Sequence, residues 1–399
     1  MKNEGNWLGT APVPEIESPQ FCNVLTDEKG RVVSILDKER VPAGSGYQAF
    51  IGLARVEDTA IFFDGLRAGC ASGAEVQLSS GFEPLMNRGS LATRELRSWV
   101  DVGTWARYQD ALARDPGFDF SKPGEFTYGR GDRVIKFFAD PSDLAGRVAR
   151  AEMLRGLIPP LVGSSSHHLA YQHVPGKTFY ESGSPGLFAE LMNWLGTHLW
   201  NRKIGPVADF EKICRAFYRD KTRSRVNAFL ADFPEQDSKG TSIHALLGQV
   251  DWDELSRGHP SAFHGDLQFS NILCEAGTGR FRLIDWRQDF GGSREAGDIH
   301  YDFAKLLAGI ELDLNRIRKG DFIFREEAGQ ISAFVPRLPE EELYTAILRE
   351  FMEQAGFDFR KTRLLSALVY LNMAPLHKAP FSRLLFHLGK AKLEKELQF

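Results

Sequence analysis

An aspartate, an asparagine five residues later and a second aspartate at the end of an apolar run are the residues of this chain best suited to chemistry. They are Asp266 and Asn271 in His264-Gly265-Asp266-Leu267-Gln268-Phe269-Ser270-Asn271, and Asp285 in Leu283-Ile284-Asp285-Trp286. Carboxylate and amide oxygens suit a hard divalent cation, and a further carboxylate can accept or orient the proton of an attacking hydroxyl. These are the parts needed to move a phosphoryl group from a magnesium nucleotide, with Asp266 beside the hydroxyl and Asn271 and Asp285 on the metal. Each piece alone reads equally well as a turn or as a strand ending in a capping carboxylate. Their joint spacing is what argues for chemistry.

Both loops can face one metal only if the chain between them folds back. Ile272-Leu273-Cys274 and Phe281-Arg282-Leu283-Ile284, separated by Glu275-Ala276-Gly277-Thr278-Gly279, predict a short hairpin that does this. Lys136, in the alternating run Arg133-Val134-Ile135-Lys136-Phe137-Phe138, is expected on a strand, and the resemblance of this order of residues to the kinase plan implies that it reaches the nucleotide phosphates. Glu152, in a helical segment over 144–157, is the expected ion-pair partner that aims this lysine. Ser121, Lys122 and Gly124 form the candidate turn over the phosphates, because small residues let backbone amides approach phosphate oxygens; the same residues also suit a plain hairpin turn.

The set resembles the aminoglycoside phosphotransferase and choline kinase family, whose signature is H-G-D-x-x-x-x-N followed by I-D-W or I-D-F. Protein kinases carry H-R-D and D-F-G at those places, so Gly265 and Trp286 side with the small-molecule branch. Gly297-Asp298-Ile299-His300-Tyr301-Asp302 is similar to the segment that follows the metal aspartate in that family, and Asp298 is expected to cap a helix and buttress the active loops. The resemblance implies an α+β, bilobal, protein-kinase-like fold. A small antiparallel β N-lobe and hinge would span 116–176, and a mostly helical C-lobe with the catalytic and metal loops 177–399. It also implies ATP or GTP with Mg2+, and a hinge at Leu169 to Thr178 where the backbone of Gln172, His173 and Val174 reads the purine edge. Arg287 is the candidate acceptor or phosphoryl contact after the metal aspartate, although a surface ion pair suits it as well.

Residues 1–115 carry a different pattern. After an irregular lead-in to about residue 20 come a hairpin over 21–36, a strand over 46–54 and helices over 58–69, 81–86 and 108–114. This resembles the second half of a sugar-phosphate nucleotidyltransferase, in which Asp101 would help hold magnesium and Lys38 would approach the sugar phosphate. No Gly-rich phosphate loop precedes Phe21. A partial α/β nucleotidyltransferase-like segment without its own activity is therefore expected, serving packing, homodimerisation or substrate contact.

Past the hinge, apolar residues recur at helical spacing over 189–200, 209–230, 243–255, 302–314, 340–355, 362–376 and 381–397. Trp194 and Trp200 read as core, and Lys390, Lys392 and Lys395 as a solvated face. A net charge of −4 over 399 residues gives no reason to expect nucleic acid as a partner. The most apolar run, 364–376, contains Ser366, Asn372 and Pro375 and is too short to span a bilayer, and the N-terminus lacks a secretion signal, so a cytoplasmic location without membrane insertion is expected. The four cysteines are scattered without a metal or disulfide pattern.

The expected reaction is transfer of the terminal phosphoryl group to a small-molecule hydroxyl acceptor, a sugar, polyol or amino alcohol. The adjoining nucleotidyltransferase-like segment suggests surface-polysaccharide precursors. An aminoglycoside phosphotransferase and a non-catalytic nucleotide-binding kinase-like protein are the alternatives.

Overall fold

The computed structural model describes residues 5–12, 15–70, 76–96, 99–101, 104, 107, 124–238, 240–278, 280–327 and 330–398. The chain divides into two compact units, Met1–Pro116 and Gly117–Phe399.

Among the described residues, the first unit is a five-stranded mixed sheet with two α-helices. Strands β1 (Asn6–Ala11), β2 (Cys22–Thr26), β3 (Val32–Asp37), β4 (Gln48–Arg55) and β5 (Leu91–Glu95) lie in the order β3-β2-β4-β1-β5. The β2/β3 hairpin, the β4 strand, and the helices α1 (Thr59–Cys70) and α2 (Ser79–Asn87) fall where the sequence pattern puts them. Residues 6–11 do not form an irregular lead-in, however. They make an inner strand, antiparallel to β4 and parallel to β5. Its polar look has a structural cause. Asn6 accepts from the Glu57 and Asp58 amides, and a Cβ at Gly9 would stand 3.1 Å from the Leu53 carbonyl oxygen. Asp101 is bonded to Arg107, and the helix expected over 108–114 lies outside the described residues.

The second unit starts with an antiparallel sheet in the order β6-β7-β9-β8: β6 (Glu125–Arg130), β7 (Arg133–Phe138), β8 (Leu161–Ser164) and β9 (His168–Gln172). Helix α3 (Pro141–Met153) follows β7; Asp140 caps it by accepting from the Ser142 amide at 2.8 Å, and Pro141 pre-sets its first turn. From β9 the chain enters β10 (Gly176–Thr178), which pairs with β12 (Ile272–Glu275), itself paired with β13 (Phe281–Leu283), while the two-residue strands β11 (Pro260–Ser261) and β14 (Gly297–Asp298) pair with each other. A Cβ at Gly176 would meet the Cys274 oxygen at 2.4 Å, so this crossing needs glycine.

The remainder is helical. In chain order it contains α4 (Phe179–Ser182), α5 (Pro185–Leu195), α6 (Phe210–Arg215), α7 (Lys221–Asp232), α8 (Ile243–Gln249), α9 (Trp252–Ser256), α10 (Ile299–Glu311), α11 (Leu314–Arg318), α12 (Glu341–Gln354), α13 (Phe359–Met373) and α14 (Phe381–Leu397). Trp200 is buried against Phe303, as core residues are. A hairpin of β15 (Ile323–Glu327) and β16 (Gln330–Phe334) interrupts the helices without a sequence signal strong enough to announce it. Lys390 and Lys392 are not a solvated face: Lys390 bonds Asp237 at 2.7 Å and Lys392 bonds Glu311, pinning α14 to the core, while Lys395 is exposed. No helix among the described residues is long and apolar enough to cross a membrane.

Helix α10 is buried along Ile299 to Ile310 and carries His300, Asp302 and Lys305 within that span. Buried polar side chains need partners. Those of Asp302 and Lys305 are found in the loop before β12.

Candidate active site

The two loops singled out in the sequence are set by the β12/β13 hairpin. Ile272 pairs with Leu283, and the Ile284 amide donates to the Asn271 carbonyl at 2.9 Å. Asn271 and Asp285 therefore emerge side by side from adjacent strand ends. Asp285 takes a left-handed backbone (φ 60°), which turns the chain sharply as it leaves the strand.

The His264 ring ties the two loops together. Its Nδ1 accepts from the Asp266 amide at 3.2 Å, so its Nε2 carries the hydrogen donated to the Ile284 carbonyl at 3.0 Å. Complete burial pushes its pKa down to about 4, which keeps this neutral tautomer. Gly265 turns at φ +85°, where a Cβ would stand 2.7 Å from that of Arg287. The His264 and Gly265 amides donate to the two Asp302 oxygens, at 2.9 and 2.7 Å, and Trp200 Nε1 adds a third bond at 3.2 Å. Burial raises the Asp302 carboxyl to about 6 against the pull of these bonds.

Asp266 is held on both oxygens. Lys305 Nζ lies 2.7 Å from Oδ1, and Asn271 Nδ2 lies 3.2 Å from Oδ2. Burial works against the Lys305 charge, but the Asp266 carboxylate together with Tyr301 more than offsets it and leaves the ammonium above its ordinary range. Because the Asn271 amide nitrogen also donates to the Asp266 carbonyl at 2.9 Å, the Asn271 Oδ1 is the atom left for a cation; its nearest protein donor is Ser270 Oγ at 3.4 Å. An amide oxygen and the Asp285 carboxylate are hard donors, and both residues line one cavity of about 150 Å³ together with Asp266. This donor set fits Mg2+.

On the sheet side, Lys136 of β7 bonds Asp285. Glu152 does not pair with it. Its carboxylate meets Arg155 at 2.6 Å, with both side chains about 70% exposed. Arg150 and Arg147 precede Glu152 by two and five positions, which at about 3.6 residues per turn puts them on the far side of the helix, so α3 turns these two arginines inward where Glu152 faces out. Arg147 bonds the Trp286 carbonyl, and Trp286 Nε1 returns a bond to the Arg147 carbonyl at 2.8 Å. Arg150, 1% exposed, donates to the carbonyls of Phe263, Arg287 and, at 3.2 Å, Arg294, and stacks 3.6 Å over the Phe263 ring. Burial lowers its pKa to about 9. Helix α3 is thus fastened to both functional loops by guanidinium bonds to backbone carbonyls.

The other expected residues are less uniform. Ser121 and Lys122 lie outside the described residues. In the hinge stretch the Gln172 and His173 amides are spent on Pro160 O (3.0 Å) and Asp132 O (2.7 Å), and none of the described residues accepts from the Val174 amide. Arg287 lines the cavity with Asp266 and makes no ion pair among the described residues; its Nε donates to the Asp289 carbonyl at 3.0 Å. Asp298 caps α10 and accepts from the His259 amide and Tyr218 hydroxyl, but the residue that props the loop is Asp302. The charged residues that sequence reasoning missed are Arg150, Lys305 and Lys221. For Lys305 the available signal was a charged residue inside a strongly apolar helix; the helices that carry Arg150 and Lys221 are polar along much of their length, so nothing local marked those two.

No family model matches this sequence, and no curated protein matches it. Among solved structures, an ethanolamine kinase of Plasmodium vivax is similar at 13% identity and TM-score 0.40, covering 81% of this chain and 94% of that one. An aminoglycoside-3'-phosphotransferase of type VIII is similar at 21% identity and TM-score 0.37, covering 70% and 97%. A glucosamine kinase in complex with glucosamine, ADP and inorganic phosphate is similar at 14% identity and TM-score 0.39, covering 75% and 84%. These are distant likenesses of shape, and the chemistry of this chain rests on its own residues.

Proposed function

We propose that the chain is a magnesium-dependent small-molecule kinase that transfers the terminal phosphoryl group of ATP to a hydroxyl of a sugar, polyol or amino alcohol. The observation that carries this reading is the placing of Asp266, Asn271 and Asp285 around one cavity, with Lys136 reaching Asp285 from the sheet. Asp266 receives the acceptor hydroxyl and accepts or orients its proton. Lys305 and Asn271 hold that carboxylate in one orientation, which contributes to positioning the reactants in line. Asn271 Oδ1 and Asp285 would hold Mg2+, which would supply charge that neutralises the nucleotide phosphates. Lys136 then exchanges its contact with Asp285 for the phosphates. His264, Asp302 and Arg150 act on the loops and touch neither reactant.

On this reading the first unit is an accessory segment. The Asp101 carboxylate is bonded to Arg107, and no nucleotidyl transfer is assigned to it. Its sequence pattern favours an acceptor from surface-polysaccharide precursor synthesis. Incubation of the full chain with magnesium ATP and a panel of sugars, polyols, amino alcohols and aminoglycosides, followed by phosphorus NMR, tests the reading. A new phosphate ester and stoichiometric ADP are expected. Failure to bind magnesium ATP, with no ester from any acceptor, rejects it.

A further inference from the structure

The cavity that contains Asp266 has an unusual charge balance. Six cationic side chains line it, Arg147, Lys221, Arg225, Arg287, Lys305 and Arg318, against the carboxylates of Glu125, Asp266 and Asp285. The carboxylates are already engaged: Glu125 lies 3.6 Å from Arg147, Asp266 holds Lys305, and Asp285 holds Lys136. Among the described residues, none forms an ion pair with Lys221, Arg225 or Arg287.

These three cations are gathered on purpose-built supports. Lys221 and Arg225 stand one turn apart on α7 and so share a face, an arrangement that costs stability when the charges are alike. Arg287 comes from the loop after the metal aspartate. Lys221 Nζ lies 3.9 Å above the Phe217 ring and the Arg287 guanidinium 5.0 Å from the same ring, so one aromatic side chain supports both. Burial, with like charge from Arg287, Arg225 and Lys305, holds the Lys221 ammonium well below the usual lysine range. Partly buried cations with no carboxylate of the described residues within ion-pair distance, and with the Asp289 charge offsetting only part of the cost at Lys221, gain when an anionic ligand completes them.

The nucleotide does not account for all of them. Its phosphates belong beside Lys136, Asn271 and Asp285. Arg225 and Arg287 also line the adjoining cavity of about 390 Å³, which Asp285 shares, whereas Lys221 lines only the one with Tyr301, Leu314, Val369 and Met373 on its walls. Those surfaces suit a carbon skeleton, and the charge at Lys221 suits an anion attached to it.

On the kinase reading given above, we infer that the acceptor is an anionic hydroxyl compound, a sugar or polyol bearing a phosphate or carboxylate that Lys221, Arg225 and Arg287 receive while its hydroxyl lies at Asp266. An amino alcohol or an aminoglycoside would bring positive charge into a positive cavity, so these acceptors are disfavoured.

The test uses the full chain with magnesium ATP and matched acceptors: glucose, glucosamine, glucose 6-phosphate and glucuronate, then glycerol, glycerol 3-phosphate and glycerate. Values of kcat/KM come from ADP release, with products verified by phosphorus NMR. The anionic members are expected to exceed their neutral partners, glucosamine to be the poorest, and the phosphate and carboxylate arms to separate the two anion types. Each cation contributes a charge-assisted hydrogen bond, so Lys221→Met and Arg225→Glu should each lower the anionic-to-neutral ratio roughly ten- to a hundredfold, mainly through KM. Preference for the neutral or amino member, or a ratio that neither substitution moves, overturns the inference while leaving the kinase reading in place. No transfer to any acceptor together with no binding of magnesium ATP removes the kinase reading and the inference with it.

Discussion

Lys305 Nζ stands 2.7 Å from Asp266 Oδ1, joining a helix buried along most of its length to the loop that carries the proposed base. The contact fixes which way the carboxylate faces. Lys305→Met is therefore expected to lower kcat more than it raises the KM for ATP. Asp266→Asn should fold and bind magnesium ATP but lose turnover by about a hundredfold to ten-thousandfold, the usual size of general-base assistance. Unchanged turnover in Asp266→Asn rejects the assigned role, and urea titration of both variants checks that the fold survives.

Asp285 joins the metal donor set to the sheet lysine. Asp285→Asn removes the charge that Lys136 and Mg2+ both need, so ATP affinity in the presence of magnesium is expected to fall at least about tenfold, the loss of one charge-assisted contact. ATP binding measured with and without magnesium decides this. An undiminished magnesium effect would show that the ion is held elsewhere.

Glu152 separates this site from the plan its sequence suggests. Because its carboxylate is spent on exposed Arg155, Glu152→Gln should leave kcat/KM for ATP within about twofold of the parent, exposed pairs contributing little. A loss of several hundredfold would mean that the pair with Lys136 forms during turnover.

Arg150 bonds the carbonyls of both functional loops from a fully buried position. Arg150→Met leaves those carbonyls without donors and is expected to cost about 3 kcal/mol or more. Arg150→Lys should recover little of this, because an ammonium cannot span carbonyls set out for a planar fork. Urea denaturation of the two variants tests both statements.

His264 and Asp302 titrate in opposite senses. The His264 pKa of about 4 lies below its ordinary 6.5, so its contribution to stability is complete above pH 6.5 and is lost as pH falls through 4. The Asp302 value of about 6 lies above its ordinary 3.8, so its contribution is complete below 3.8 and is lost as pH rises through 6. Each amounts to about 3 kcal/mol at most, and the two largely cancel between pH 4 and 6. His264→Gln removes one side of the balance. Its stability relative to the parent should improve steadily from pH 6.5 to pH 4, and a difference independent of pH would show that His264 is not held neutral.

Much of the architecture was legible before any coordinates. The β2/β3 hairpin, the β12/β13 turn and the tail helix α14 follow from alternation, turn residues and helical spacing, all of which act over short stretches of chain. Strand β1 was not legible, because Gly9 and Asn6 are there for close packing and for capping bonds to residues far along the chain. The β15/β16 hairpin escaped for a different reason: its apolar residues Ile323, Ile331 and Phe334 stay exposed, so no buried face enforces the alternation of its strands.

Residue type and spacing were enough to nominate Asp266, Asn271, Asp285 and Lys136, since a metal-binding loop must bring its donors together within a few residues or across one hairpin. Only the folded chain decides which charge faces which. Lys136 meets Asp285 and not Glu152, α3 turns two arginines inward where a carboxylate was expected, and Lys305 reaches back 39 positions to Asp266. The same holds for the cavity, whose cations come from α3, α7, the loop after β13, α10 and α11. Burial and charge pairing depend on elements distant in the chain, and no local pattern of residues encodes them.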